Sequence, residues 1–81
     1  MNTTDARALL TRLVGRIAPE ADLDEIDPDA PLQEALDLDS MDFLNLVTAL
    51  DDAIGLQVPE RDYPALSTTA GFTTYVAAAT S

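Results

Sequence analysis

The residues best suited to chemistry lie where an acidic segment runs into an apolar one. Residues 38–42 contain Ser40 between two acids, Asp39 and Asp42, and an apolar run over residues 43–50 follows. A serine at the start of a helix often caps it by accepting a hydrogen bond from a free backbone N–H. The same position suits a phosphate ester, because free N–H groups and the helix dipole stabilise negative charge there. The spacing is therefore compatible with Ser40 as a helix cap and as an attachment site.

Intrinsic catalysis is disfavoured by the residue types that the sequence lacks. It contains no His, no Cys and no Lys, so Ser40 has no conventional base to activate it. Paired carboxylates such as Asp39 and Asp42 can act as acid and base, but a helical bundle of 81 residues offers them little concave pocket. We therefore expect a protein that is not an enzyme.

A calcium site is not expected either, although acids recur across residues 22–33. A calcium-binding loop that starts at Asp22 requires glycine at its sixth position and glutamate at its last position. The sequence has Asp27 and Gln33 there, so the pattern fails and no dedicated metal site is predicted.

The charge of the chain is strongly and unevenly acidic. It carries 15 acidic and 4 basic residues, for a net charge of -11, and no basic residue lies between Arg16 and Arg61. Such a field repels nucleic acid and anionic membranes, and it attracts basic protein surfaces. It also favours a monomer. Solubility alone explains part of the excess of acidic residues. No run approaches the ~18 apolar residues of a membrane span, and the first residues lack the pattern of a signal peptide. We expect a cytoplasmic protein.

The elements that must position Ser40 are helices, within a single domain over residues 1–81. The first helix follows Thr3 or Thr4 as a cap and ends before Pro19, and a long connection over residues 20–39 leads to the helix that begins at Ser40. Its leucines and isoleucine are expected to pin it to the core, with one helical turn over residues 33–36. The core positions of the two helices recur at helical spacing: Ala6, Leu10, Leu13, Val14 and Ile17, then Phe43, Leu46, Val47, Leu50 and Ile54.

The second half of the chain predicts a short helix and a longer one. Gly55 ends the helix that begins at Ser40, residues 60–63 form one turn that Pro64 stops, and Ser67 or Thr68 caps the last helix. The inner face of that helix is predicted to hold Phe72, Tyr75, Val76 and Ala79. The predicted fold class is all-α, a small four-helix bundle of three longer helices and one short third helix, with a long first loop.

The order of these features resembles the acyl carrier proteins. The family has an Asp-Ser-Leu motif at the start of its second helix, and the present chain has Asp39, Ser40 and Met41 there. An acidic helix ending over residues 50–52 and an apolar-proline-acid link over residues 58–60 follow in the same order. The resemblance covers nearly the whole chain, from about Thr4 to Val76.

The resemblance implies a cofactor, a modifying enzyme and a docking surface. Ser40 matches the serine that receives 4′-phosphopantetheine from coenzyme A through a phosphopantetheinyl transferase, and Asp39 matches the acid that helps to hold Mg²⁺ in that step. The arm ends in a thiol that carries acyl intermediates as thioesters. Partner enzymes of fatty-acid, polyketide or a specialised pathway would dock through basic surfaces. The matching partner-facing positions are Met41, Asp42, Leu44, Asp51 and Asp52; Met41 and Leu44 also fall off the predicted core stripe.

Departures from the family pattern indicate a specialised carrier rather than the housekeeping carrier of fatty-acid synthesis. Phe43 and Asn45 lie where smaller or acidic residues are common, and Phe43 is placed to narrow the entrance of any acyl cavity. Arg61 lies in a segment that is usually acidic. The Gly-Gly pair that precedes the serine of many peptidyl carriers is missing, which favours an acyl cargo. A peptidyl or aminoacyl carrier, and an acidic helical protein-binding module without a prosthetic group, stay open as alternatives.

Overall fold

The regular structure of the chain is helical, as the apolar periodicity predicts. The computed structural model describes residues 1–80. Within them lie α1 (Thr3–Ile17), α2 (Leu32–Ala35), α3 (Ser40–Ile54) and α4 (Thr69–Ala79), together with 3₁₀ helices at Leu23–Glu25 and Glu60–Leu66. No strand is present in this part of the chain, so the predicted all-α bundle with a short third helix is confirmed.

Two helix termini agree with the sequence prediction, whereas the start of α1 does not. The Thr68 Oγ1 atom accepts a hydrogen bond from the Gly71 N–H at 2.9 Å and caps α4. Gly55 ends α3 with a left-handed backbone, at φ 69°. The prediction for α1 is wrong, because Asn2 caps it and Thr3 is already helical. Asn2 is extended and its Oδ1 atom accepts from the Asp5 N–H at 2.8 Å, and asparagine is among the strongest capping residues.

Pro64 does not stop the third helix, contrary to the prediction. The 3₁₀ helix runs from Glu60 to Leu66 through it. In this geometry each N–H bonds three residues back, as Asp62 N does to Pro59 O at 2.8 Å and Ser67 N to Pro64 O at 3.2 Å. The turns on either side form without the N–H that proline lacks, so the segment keeps a helical path that an α-helix could not follow.

A single apolar core joins α1, α3 and α4. The predicted faces of α1 and α3 are buried except that Ile17 and Ile54 are only half-buried. On α4, Phe72 and Val76 are buried and Tyr75 is half-buried, but Ala79, the last residue of the helix, is exposed. The periodicity did not predict the burial of three core residues, Leu9, Leu23 and Leu66, or of two polar residues, Thr69 and Thr73.

The long connection between α1 and α3 packs against the core as expected, except that Leu38 is half-buried and does not join the core cluster. Leu32 is fully buried, and Ile26 and Leu36 pack partly against the core. Backbone hydrogen bonds tie the segment to the start of α4. They run from Leu32 N to Ser67 O at 2.7 Å and from Ala70 N to Pro28 O at 3.0 Å. The expected helical turn is present as α2, one residue earlier than predicted. Among residues 1–80, no helix is long and apolar enough to cross a membrane.

Candidate functional site

The backbone that leads into Ser40 is fixed by the way α2 ends. The Leu38 N–H donates to the Gln33 carbonyl at 2.8 Å and the Asp37 N–H donates to the Glu34 carbonyl at 3.4 Å. Asp37 adopts a left-handed conformation, with φ at 55°. This pair of bonds around a left-handed residue is a Schellman motif, which turns the chain sharply after a helix. It places Asp39 and Ser40 at the start of α3.

Asp39, rather than Ser40, caps α3. The Asp39 Oδ1 atom accepts from the Asp42 N–H at 2.8 Å, and the Asp42 Oδ2 atom accepts from the Asp39 N–H at 3.4 Å. The two acids form a reciprocal capping box. The interpretation of Ser40 as the capping residue is therefore wrong. Acids three residues apart, with both side chains able to accept hydrogen bonds, are the sequence signal that identifies the box.

Ser40 keeps a free hydroxyl because Asp39 has taken over the capping role. It is the first residue of α3 and is exposed. Within residues 1–80, no hydrogen bond joins the Ser40 Oγ atom to the protein, and the N–H groups of Ser40 and Met41 donate to no acceptor. An exposed hydroxyl beside two free N–H groups at a helix N-terminus suits a phosphate ester. The local structure fits the attachment of such a group.

The two carboxylates of the capping box repel the negative charge of a phosphate at Ser40. A divalent cation relieves this repulsion, and Asp39 is exposed and held in place by its hydrogen bond to Asp42 N–H. Among the described residues, however, no group of three or more acids, histidines or cysteines is arranged around a common point. The Asp39 carboxylate thus lies exposed beside Ser40, and its part in holding Mg²⁺ stays a prediction.

The remaining predicted site residues lie along α3 on its solvent side. Met41 is 66% exposed and Leu44 is 44% exposed, which is unusual for large apolar side chains in this chain. Asp52 is exposed, and Asp42 and Asp51 are half-buried. α3 thus presents apolar and acidic side chains together, beginning next to Ser40.

An aromatic contact one turn after Ser40 involves a residue that sequence reasoning missed. The rings of Phe43 and Tyr63 meet edge to face, with their centroids 5.8 Å apart and their planes at 71°. The contact bridges α3 and the 3₁₀ helix Glu60–Leu66. The sequence predicts only a helical turn around Tyr63, and no local pattern indicates which distant ring it meets.

Two surface depressions flank this region. One, of about 380 Å³, lies between residues 18–21 after α1 and residues 35–37 at the end of α2. The other, of about 200 Å³, lies beside α3 and is lined by Val47, Thr48, Asp51, Leu56, Gln57, Val58 and Tyr63. Both open to solvent, so neither encloses a ligand.

Comparison with known proteins assigns the chain to a family. Residues 8–76 match the family described as "Phosphopantetheine attachment site". An acyl carrier protein of Streptomyces coelicolor is 36% identical over 70 residues, which are 83% of this chain and 76% of that protein. One from Syntrophobacter fumaroxidans is 31% identical over 75 residues, or 90% and 93% of the two chains. The acyl carrier protein AcpXL of Brucella melitensis is 42% identical over 40 residues, or 49% of this chain and 43% of that protein.

Proposed function

Because the chain belongs to the acyl carrier protein family, whose prosthetic group is phosphopantetheine, we propose that it carries acyl intermediates on a group attached to Ser40. The observation that supports this most directly is the free Ser40 hydroxyl. It lies exposed at the first residue of α3, while Asp39 performs the capping that a serine at this position would otherwise provide. In this proposal the chain carries acyl groups and does not itself catalyse a reaction.

Each residue around Ser40 has a defined part in this proposal. The Ser40 Oγ atom forms a phosphodiester bond to phosphopantetheine as the pyrophosphate bond of coenzyme A breaks and adenosine 3′,5′-bisphosphate leaves. The free N–H groups of Ser40 and Met41 stabilise the negative charge of the attached phosphate. Asp39 contributes one oxygen to the Mg²⁺ that the modifying transferase uses. The bound group supplies a thiol that forms thioesters, a chemistry that this chain cannot provide itself because it has no cysteine.

Partner enzymes would dock on α3 next to the attachment point. Met41 and Leu44 offer exposed apolar area, and Asp51 and Asp52 lie further along the helix. Complementary charge accelerates encounter, whereas the apolar contacts contribute to affinity once the surfaces meet. We therefore expect the phosphopantetheinyl transferase and the acyl-handling enzymes to present basic surfaces to this helix. Asp42 belongs to the same surface but also holds the capping box.

The pathway that fits best is a specialised one. Phe43, Asn45 and Arg61 depart from the pattern of fatty-acid carriers. The absence of a Gly-Gly pair before Ser40 favours an acyl cargo over an aminoacyl one. We also propose a cytoplasmic location and a monomeric state. The monomer follows from charge, because copies that each carry a net charge of -11 repel one another.

The test of the carrier function is an intact-mass measurement. The protein is incubated with coenzyme A, Mg²⁺ and a promiscuous phosphopantetheinyl transferase, beside the variants Ser40→Ala and Ser67→Ala. Ser67 is the matched control, since its hydroxyl already donates to the Pro64 carbonyl at 2.7 Å. We expect one phosphopantetheine to be added to the wild type and to Ser67→Ala, and none to Ser40→Ala. If an active transferase leaves the wild type unmodified, an acidic protein-binding module without a prosthetic group becomes the better account.

A further inference from the structure

We propose that the contact between Phe43 and Tyr63 keeps acyl chains out of the helical bundle, so that this carrier takes short or polar acyl groups and presents them to solvent. This inference rests on the carrier function proposed for Ser40 and names the class of its cargo. It concerns the seam between α3 and the 3₁₀ helix Glu60–Leu66, which the two rings bridge.

The two rings lie at the start of the path that leads from Ser40 along α3 into the core. Phe43 lies three residues after Ser40, so it occupies the next turn of α3. Its side chain is 8% exposed and faces inward. Tyr63 meets it edge to face from the other side of the seam, with ring centroids 5.8 Å apart. A chain attached at Ser40 that turned inward along α3 would have to displace this pair first.

The core behind the pair offers no ready space for an alkyl chain. Leu46, Leu50 and Leu66 are each no more than 1% exposed and belong to one packed cluster. Protein interiors are packed as densely as organic crystals, so inserting several methylene groups requires the helices to separate. An apolar chain would therefore have to displace the aromatic pair and also open the packed leucines.

The depression beside the seam is suited to small or polar groups. It has a volume of about 200 Å³ and opens to solvent, and Tyr63 forms one of its walls. The polar side chains of Thr48, Asp51 and Gln57 share that lining with apolar ones. Burial of a long saturated chain gains free energy only in proportion to the apolar area removed from water. This shallow, mixed surface removes little of that area, whereas a short or polar cargo needs little burial.

The test compares two forms of the carrier that differ only in cargo. The transferase loads acetyl or octanoyl phosphopantetheine from the corresponding acyl-coenzyme A, intact mass verifies the loading, and the melting temperature and amide NMR spectrum of each form are recorded. A cargo that contacts only the folded state raises the melting temperature. For the wild type we expect the acetyl and octanoyl forms to melt within ~2 °C of each other, which for a domain of this size is a negligible difference in stability. Amide shifts should be confined to exposed residues.

Removing the rings should open the seam. In Tyr63→Ala, and more strongly in Phe43→Ala/Tyr63→Ala, the octanoyl form should melt several degrees above the acetyl form, by ~4 °C or more. Its amide shifts should extend to Leu46, Leu50 and Leu66. Ile26→Ala is the matched control, since Ile26 is also half-buried against the core but lies on the long connection and on neither side of the seam; its two forms should melt as close together as those of the wild type. Because Tyr63 is only half-buried, its single variant is expected to fold even if the double variant does not.

Failure of this inference differs from failure of the carrier function. If Ser40 accepts no phosphopantetheine at all, the carrier function falls and the inference falls with it. If wild-type protein is loaded and its octanoyl form already melts several degrees above the acetyl form with shifts at the buried leucines, only the exclusion of cargo is overturned. An unchanged difference in Tyr63→Ala, with normal folding and loading, also overturns the role of the pair.

Discussion

At the level of single residues, the site separates two tasks that could have fallen to one serine. Asp39 supplies the oxygen that the helix end requires, and Ser40 is left with an exposed hydroxyl that bonds to nothing in the described part of the chain. A hydroxyl already engaged as a cap would have to break its hydrogen bond to become an ester. The capping box with Asp42 therefore leaves the Ser40 hydroxyl, which we propose as the attachment point, available without weakening the start of α3.

The variant Ser40→Ala should fold as well as the wild type. Because the Ser40 side chain makes no hydrogen bond within residues 1–80, its loss should change the free energy of unfolding by less than ~0.5 kcal/mol. Urea unfolding at neutral pH measures this change. A serine that capped α3 would instead cost about 1 kcal/mol on replacement. A loss of that size would show that Ser40 contributes to the helix end after all.

Two replacements of Asp39 should separate its capping role from its charge. Asp39→Ala removes both and should lower the free energy of unfolding by about 1 kcal/mol, whereas Asp39→Asn keeps a capping oxygen and should lose clearly less. Both variants lack the carboxylate that we propose as a Mg²⁺ ligand, so both should be modified by the transferase more slowly than wild type. Urea unfolding and a time course of intact mass give the two readouts.

The control for this comparison is Asp29→Asn, which removes a charge from an exposed position on the long connection, away from the proposed docking surface. It should leave both stability and the rate of modification near wild type. If Asp39→Asn is modified as fast as the wild type, the carboxylate is not needed for the reaction. If it is as unstable as Asp39→Ala, the charge rather than the hydrogen bond stabilises the helix end.

At the level of elements, two helical glycines should respond in opposite ways to the same change. A Cβ atom added at Gly71 would collide with the Ala65 backbone carbonyl, because the start of α4 lies tightly against the 3₁₀ helix. At Gly15, in α1, a Cβ atom would meet nothing within 4 Å. We expect Gly71→Ala to destabilise the fold by ~1–3 kcal/mol and Gly15→Ala to stabilise it by about 0.5–1 kcal/mol. Thermal and urea unfolding of the pair, measured side by side, check both signs; equal effects would contradict the close contact.

The contact between Tyr75 and Asp62 also ties α4 to the 3₁₀ helix and should depend on pH. The Tyr75 hydroxyl donates to the Asp62 Oδ2 atom at 2.8 Å. This hydrogen bond, aided by desolvation and the nearby carboxylate charge, raises the pKa of Tyr75 above its ordinary value. A raised pKa in the folded state means that the stabilisation is complete below pH ~10 and is lost as pH rises through the folded-state pKa.

The variant Tyr75→Phe tests this dependence. It should melt below the wild type at neutral pH, because the hydrogen bond is missing and the Asp62 carboxylate loses a donor. Above pH ~10 the wild type should lose stability more steeply than the variant, so that the two melting temperatures converge. Melting curves at several pH values between neutral and strongly alkaline measure the difference. A gap that stays constant across that range would argue against the linkage.

The elements that could be predicted from sequence are those with strong local signals. The apolar stripe of α3 and the glycine at its end identify a helix, because each signal depends only on residues a few positions apart. The path through Pro64 and the Phe43–Tyr63 contact depend on what packs against the segment, so local pattern does not determine them. The capping box lies between these two cases, because the sequence predicts it only in part. Its residues were visible, but a serine and an aspartate compete for the same role, and only the backbone geometry decides between them.

At the level of the whole molecule, the acidic charge is largely unneutralised. The ion pair in the described part of the chain joins Arg7 to Asp24 at 2.6 Å, and both partners are partly or largely exposed. Such a pair contributes little to stability in water. The carboxylates of α3 therefore keep most of their field, which reaches a partner over roughly a Debye length of 8–10 Å at ordinary salt concentrations. We expect this field to keep copies of the chain apart and to guide a basic partner towards Ser40.

Charge reversal on α3 should slow encounter with a partner enzyme more than it weakens the final complex. In Asp51→Lys/Asp52→Lys we expect the association rate with a cognate basic enzyme to fall by roughly 10-fold or more at low salt, and its dependence on salt to become weaker. Stopped-flow or surface-binding kinetics at several salt concentrations measure both. The matched control is Glu25→Lys/Asp29→Lys, which changes the net charge equally but on the long connection, at exposed residues. If the two double variants slow association equally, net charge alone guides encounter; if neither slows it, the acidic face of α3 is not the docking surface.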